Sequence, residues 1–297
     1  MTLPKVTIVC MVYNHEAYLR ECFEGFVMQK TTFPIEILVN DDCSPDGSAD
    51  VMREYEVKYP ELFHCIYQEE NQYSKGKMAW WEILFPMAKG EYVAICEGDD
   101  YWIDPYKLQK QVDFMENHPD FVACFHNARV RYQDRVTLFN SLNENHFPST
   151  KDLIKRQWFI ATPTLLFRNV LSEYPDWRGK IVNGDYLLEL LLAREGKFYY
   201  MDDVMAVYRQ DGHGMSAVLQ RNEVGMIDRL IDLLTKMKPY YSEEYASAFD
   251  ESIRNYQRIR AGYEREAYFE SHSLARLFRP KTYKRMLKQG MRRRLGL

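Results

Sequence analysis

Apolar residues recur along this chain in two alternating rhythms. Short runs with little polar interruption begin near Lys5 (KVTIVCMV), Pro34 (PIEILVN), Phe63 (FHCIYQ), Tyr92 (YVAICE) and Phe121 (FVACFHNARV), about 29 residues apart. Runs of this length and composition predict strands. Helical spacing fills the gaps. Ala17–Met28 places Leu19, Cys22, Phe23, Phe26 and Val27 on one face. Ser48–Tyr59 follows the turn-forming Ser-Pro-Asp-Gly and stops at Pro60. Asp104-Pro105 supplies a cap and a first-turn proline, with Leu108, Val112 and Met115 in helical phase behind it. Strands alternating with helices predict an α/β fold whose Rossmann-like, mainly parallel sheet is flanked by helices. Ligands of such sheets lie outside the carboxyl ends of the strands.

Beyond about residue 130 the pattern loosens. Ser149-x-x-Asp152 is a capping box that opens a short helix. FIATPTLLFR (159–168) reads as a strand. Asn183 or Gly184 precedes a helix, YLLELLLARE, that stops at Gly196. KFYYMDDVMAVYR (197–209) is strand-like again, and 216–297 has only helical patterning. The expected division is therefore a domain over 1–215, with halves at 1–130 and 131–215, followed by a helical C-terminal region at 216–297.

With 46% hydrophobic and 28% charged residues, the 297-residue chain can bury a core, which excludes global disorder. No apolar run approaches the length that spans a bilayer. The N-terminus leads straight into the first strand-like run without signal-peptide features. A net charge of −4 argues against nucleic acid as the main partner. The six cysteines form no CxxC pair, and Cys10, Cys65 and Cys96 fall inside apolar runs. They are expected to be reduced, buried small hydrophobes, as in a cytoplasmic protein.

The strand ends carry the candidate chemistry. The first ends in Met11-Val-Tyr-Asn-His-Glu16, with neither GxGxxG nor a P-loop pattern. The second ends in Asn40-Asp-Asp-Cys-Ser-Pro-Asp-Gly47, where a carboxylate can hold a base or sugar hydroxyl, and where the same residue types also make a turn and a helix cap. The fourth ends in Glu97-Gly-Asp-Asp-Tyr-Trp102. Three carboxylates so close repel one another unless a positive charge neutralises them. Hard oxygen ligands suit Mg²⁺ or Mn²⁺ bridging to phosphates; the alternative is a solvated acidic turn. Asp185 opens an apolar helix, either as a favourable N-terminal charge or as a general base. His213 lies in a Gly-flanked polar loop, and Arg209 nearby has the chemistry to face phosphate.

Taken in order, Val-Tyr-Asn-His-Glu, Val-Asn-Asp-Asp-Cys-Ser-Pro-Asp-Gly, the Ala-Lys-Gly-Glu-Tyr-Val-Ala-Ile-Cys-Glu-Gly-Asp-Asp run, Asn-Gly-Asp and Val-Tyr-Arg resemble family 2 glycosyltransferases of the GT-A fold, over about residues 4–215. The resemblance implies an inverting enzyme that uses a nucleotide-diphosphate sugar donor with Mn²⁺ or Mg²⁺. It implies that Tyr13, Asn14, Glu16 and Asp42, with Asp41 beside it, grip the nucleotide base. Asp99 would face the donor ribose or sugar, Asp100 would be the principal metal ligand, and Asp185 the catalytic base. Arg209 belongs to a segment that closes over the diphosphate. Lys75 and Lys77 fall where a basic nucleotide contact is common, and His213 joins Asp100 on the metal side. Two positions depart from the family pattern: Met11 replaces a usual Pro, and Glu97 replaces the usual first Asp of the acidic motif and is left out of the ligand set.

The expected reaction is a single displacement onto a hydroxyl of a glycan or lipid-linked acceptor, in cell-surface polysaccharide synthesis. A nucleotidyltransferase fits less well, since the first strand lacks its Gly-rich basic loop. A non-catalytic glycan-binding module would not need Asp100 or Asp185. Finally, 276–297 holds nine Lys/Arg and no Asp/Glu, which leaves 30 basic against 43 acidic residues for the rest. Tyr283, Leu287, Met291 and Leu295 make an apolar stripe through it. This is the pattern of a membrane-surface helix, and it predicts peripheral contact with an anionic membrane on the inner face of the plasma membrane; the alternative is a tail that packs on the acidic body or stays solvated.

Overall fold

In the computed structural model, which describes residues 3–141, 145–155, 160–178, 183–210 and 223–271, the chain forms two compact units. The first, built from 1–148, 160–180 and 191–211, contains the whole sheet. Its strands are β1 (Val6–Val12), β2 (Ile35–Asp41), β3 (Phe63–Tyr67), β4 (Tyr92–Ile95), β5 (Tyr101–Trp102), β6 (Phe121–Tyr132), β7 (Arg135–Leu138), β8 (Leu166–Arg168) and β9 (Lys197–Arg209). They lie in the order β3-β2-β1-β4-β8-β6-β9-β5, with β7 hairpinned onto β6.

The first four strands are parallel, as their uninterrupted apolar runs predict. β1 lies at the centre of this half, with Val6–Val12 beside Ile35–Asp41 on one side and Val6–Val9 beside Tyr92–Ile95 on the other. Beyond β4 the sheet is mixed: β8 is antiparallel to both β4 and β6, β9 is parallel to β6, and β5 is antiparallel to β9. β8 is much shorter than the strand expected over 159–168. Pro163, which lacks an N–H, sits in a 3₁₀ turn at Thr162–Thr164, so the ladder begins only at Leu166.

Helices α1 (Glu16–Val27), α2 (Ser48–Lys58), α3 (Phe85–Met87) and α4 (Lys107–Asn117) connect the strands. α1 buries Leu19, Cys22, Phe23 and Phe26, as its periodicity predicts. Gly25 lets it approach the strand that follows the acidic motif: a Cβ there would lie 2.9 Å from the Trp102 nitrogen. α4 buries Leu108, Val112 and Met115, and Asp104 accepts the Tyr106 N–H just ahead of it. At the opposite end of the parallel half, Thr7 Oγ1 donates to the buried Glu36 (2.6 Å) and accepts the Gly90 N–H (2.8 Å), which fixes where β4 begins. All six cysteines are free; Cys10, Cys22, Cys96 and Cys124 are fully buried, whereas Cys43 and Cys65 are partly so.

The second unit comprises 149–159, 181–190 and 212–297. α5 (Thr150–Lys155) and α6 (Gly184–Leu192) meet where the Tyr186 hydroxyl donates to the Ile154 carbonyl (2.8 Å). α7 (Glu223–Met237) buries Met226, Ile227, Leu230, Leu233, Leu234 and Met237, and Arg260 of α8 (Glu243–Ser271) pairs with Asp228 on it. The helical patterning from 216 onward is therefore realised between Glu223 and Ser271. The basic tail at 276–297 lies outside the described residues. Among the described residues no helix is long and apolar enough to cross a membrane.

Candidate active site

The carboxyl ends of β1, β2 and β4 are adjacent because those strands are adjacent and parallel. Each delivers one of the segments singled out in the sequence. After β1, Asn14 takes the left-handed conformation (φ 63°), and three successive backbone N–H groups turn toward the β2 loop. The N–H of Asn14 donates to Ser44 Oγ, that of His15 to Ser48 Oγ and that of Glu16 to Asp46, at 2.9–3.0 Å. The Glu16 carboxylate answers by accepting the Gly47 N–H (2.9 Å). Tyr13 stands about half-exposed at this rim.

The two β2 aspartates are buried and tie loops together. Asp41 accepts from the backbone and hydroxyl of Ser44. Asp42 accepts the N–H groups of Gln72 (2.7 Å) and Tyr73 (3.1 Å), which fastens the loop after β3 to the end of β2. That loop carries Lys77, which is exposed just past the left-handed Gly76. Lys75, nearby, pairs with Glu70.

The loop after β4 is held most closely. Gly98 N–H donates to the Met11 carbonyl (2.9 Å), and the thiols of Cys22 and Cys96 both approach the Glu97 carbonyl (3.6 and 3.7 Å). Glu97, Asp99 and Asp100 each bring one carboxylate oxygen within 4.8 Å of the others. Asp100 is 1% exposed: its Oδ1 accepts the Arg209 N–H, and its Oδ2 has no hydrogen-bond partner. Burial, with Asp99 and Cys96 adding to it, pushes the Asp100 carboxyl well above the usual carboxylate range. A buried, unpartnered oxygen among clustered carboxylates is costly unless a cation joins it. The donor set, three hard oxygens at a strand end, fits Mn²⁺ or Mg²⁺.

The expected site residues divide into three groups. Asp99, Asp100 and Arg209 come together. The Arg209 guanidinium, though, does not face outward. It donates to the Asp99 carbonyl, pairs with Glu21, and lies between the rings of Tyr18 and Tyr101. Tyr13, Asn14, Glu16 and Lys77 are exposed on the neighbouring loops, whereas Asp41 and Asp42 are buried at the end of β2. Asp185 belongs to the second unit, in the first turn of α6, where burial raises its carboxyl. Glu189, one turn later, is buried and also raised, first by burial and then by Asp185. His213 lies outside the described residues. Sequence reasoning missed three participants. Glu97 joins the carboxylate cluster despite its longer arm, Glu21 holds Arg209, and His15 packs against Gly98.

The profile of Glycosyl transferase family 2 matches residues 7–174 of this chain. The chain belongs to glycosyltransferase family 2. Among curated relatives, an uncharacterized protein of Mycobacterium tuberculosis is 38% identical over 71% of this chain, which spans 60% of that protein's length. The putative teichuronic acid biosynthesis glycosyltransferase TuaG of Bacillus subtilis is 34% identical over 72% of this chain and 82% of its own. Two solved structures share the GT-A fold at 17% identity. S. aureus TarS 1–349 in complex with UDP-GlcNAc gives a TM-score of 0.62 over 85% of this chain and 71% of its own. Mannosyltransferase PcManGT from Pyrobaculum calidifontis, in complex with GDP-Man and Mn²⁺, gives 0.63 over 99% of this chain and 86% of its own. In this glycosyltransferase the parallel half and the acidic loop therefore belong to a fold that holds nucleotide sugars in those neighbours.

Proposed function

We propose that this glycosyltransferase transfers a sugar, with inversion, from a nucleotide-diphosphate donor to a hydroxyl of a glycan or lipid-linked acceptor in cell-surface polysaccharide synthesis. The observation that carries the reading is the buried, unpartnered Asp100 oxygen inside the carboxylate cluster. Glu97, Asp99 and Asp100 are the residues that would hold Mn²⁺ or Mg²⁺. A divalent cation held by these three carboxylates would supply positive charge to balance the departing nucleoside diphosphate. Similarity to TuaG, a putative teichuronic acid biosynthesis glycosyltransferase, supports the polysaccharide role, and the UDP-GlcNAc and GDP-Man held by the two solved neighbours support the donor class.

Asp185 takes the proton from the acceptor hydroxyl as its oxygen attacks the anomeric carbon. The new glycosidic bond forms while the bond to the diphosphate oxygen breaks. The upward shift of Asp185 suits this role, because a base works best with a pKa near the working pH. Asp42 and the loop it fastens shape the nucleoside side of the site, and Tyr13, Asn14, Glu16 and Lys77 rim it.

The test is incubation with a panel of UDP-, GDP- and dTDP-sugars, with Mn²⁺ and with Mg²⁺. The expected result is thermal stabilisation by one nucleotide class and release of its free diphosphate. A ligand at 100 times its dissociation constant adds about 2.7 kcal/mol, which a melting curve resolves. No stabilisation and no release with any donor, with either metal, would overturn the reading.

A further inference from the structure

His15 is the N-cap residue of α1, and both of its backbone groups are committed: its N–H to Ser48, and its carbonyl to the N–H groups of Tyr18 and Leu19. The backbone thus fixes the direction of the Cα–Cβ bond, and the imidazole lies across the start of the acidic loop, against Gly98 and Asp99. Gly98 makes room for it. A Cβ at position 98 would come within 2.8 Å of His15 Nδ1 and of Leu19 Cδ2, and 3.2 Å of Val12 Cγ2. The glycine between Glu97 and Asp99 is therefore the seat of the His15 ring.

The two ring nitrogens meet different surroundings. Nδ1 is buried among these neighbours with no hydrogen-bond partner. Nε2 faces Asp99 Oδ2 at 3.9 Å. A bare lone pair on Nε2 would point at a carboxylate and repel it, whereas an Nε2–H attracts it. Electrostatics therefore selects the tautomer with the proton on Nε2, and leaves on Nδ1 a lone pair rather than a stranded N–H. From this we infer that His15 is the positioning residue for Asp99: its Nε2–H restrains Oδ2, so that the carboxylate keeps one orientation toward the cluster. Partners behind metal-binding groups govern affinity in this way. The inference rests on the cation reading of Glu97, Asp99 and Asp100, and adds to it a residue from a different strand.

The test measures Mn²⁺ binding by the electron paramagnetic resonance signal of free Mn²⁺, with UDP or GDP present, for the full chain and four variants. His15→Leu removes the donor but keeps bulk. His15→Gln places an amide N–H near the Nε2 position. His15→Ala removes both, and Asp100→Ala removes a ligand. The expected result is a dissociation constant for Mn²⁺ raised about 10- to 100-fold in His15→Leu and His15→Ala, with His15→Gln within a few-fold of the parent and all three retaining the parent's circular dichroism. If Asp100→Ala loses Mn²⁺ while His15→Leu binds it like the parent, the His15 inference fails and the metal reading stands. If His15→Gln is as weak as His15→Leu, the ring acts by packing alone and the inference fails. If Asp100→Ala binds Mn²⁺ like the parent, the metal reading itself fails and takes the inference with it.

Discussion

The backbone N–H of Arg209 donates to Asp100 Oδ1 at 2.8 Å, which joins the last residue of β9 to the acidic loop across 109 positions of sequence. The same arginine's guanidinium holds the Asp99 carbonyl, so one residue fastens the loop at two points. A side chain whose type promises a phosphate contact is, in this arrangement, part of the scaffold beneath the carboxylates.

Asp100→Asn is expected to abolish Mn²⁺-dependent donor binding while raising thermal stability at pH 7 without metal. The folded-state pKa of Asp100 lies above its unfolded value. The native state therefore holds that proton more tightly: its contribution to stability is present at low pH and is lost as pH rises through the raised pKa. Asparagine keeps the acceptor for Arg209 and removes the buried charge. Each ~1 kcal/mol relieved appears as roughly 2–4 °C in Tm. A lower Tm for the metal-free variant at pH 7 would contradict this account.

Asp185→Asn should keep donor affinity and lose about 10²–10⁴-fold in transfer, the usual contribution of a general base. Calorimetry with the donor and turnover with the acceptor read the two quantities separately. Equal loss of donor affinity would assign Asp185 to donor binding, and unchanged turnover would place the base elsewhere.

Asp42→Ala removes the carboxylate that accepts the partly exposed N–H groups of Gln72 and Tyr73, at about 0.5–1.5 kcal/mol for each hydrogen bond lost. Loosening of the 71–77 loop is expected to follow, seen as faster proteolysis there, together with weaker binding of free UDP or GDP. A variant with the parent's nucleotide affinity and the parent's proteolytic pattern would remove Asp42 from both roles.

Lys107 is fully buried: its Nζ lies 3.9 Å from the centre of the Trp102 ring and donates to Gln111 (2.7 Å). Burial lowers its pKa from 10.5 to about 7. Between pH 7 and 10.5 the unfolded chain binds this proton and the native state does not, so stability rises with pH across that window. Lys107→Met is expected to flatten the rise. Melting temperatures at pH 7, 8, 9 and 10 for both proteins provide the check, and parallel curves would refute it.

The basic tail predicts salt-sensitive attachment to anionic vesicles. A chain ending at Ser273 should sediment with phosphatidylglycerol liposomes far less than the full chain, and added salt should release the latter. Equal pelleting of the two, or pelleting that salt leaves unchanged, would discount an electrostatic anchor.

The parts of the molecule legible in the sequence are those fixed locally. β1, β2 and β4 read directly because strands buried on both faces are continuous apolar runs. Asp99 and Asp100 stood out because they follow one of those runs. Over 159–168 the apolar neighbours of Pro163 mask its effect on the ladder, which begins only at Leu166. The β6–β7 hairpin was missed because its turn uses Gln133 in the left-handed conformation (φ 51°) and not an Asn-Gly pair. Contacts between distant segments left no local trace. Glu21 looks like any residue on the polar face of α1 until β9 delivers Arg209 to it, 188 positions later. His15 acquires its neighbour only because Gly98 lacks a side chain.

On the ribosome the first four strands can pair as soon as Tyr92–Ile95 has emerged, whereas Asp100 waits for a residue 109 positions further on. At the usual pace of synthesis that interval is roughly 5–20 s. The hydrogen bond from Arg209 to Asp100 therefore forms only after β9, the last strand of the sheet in chain order, has been made.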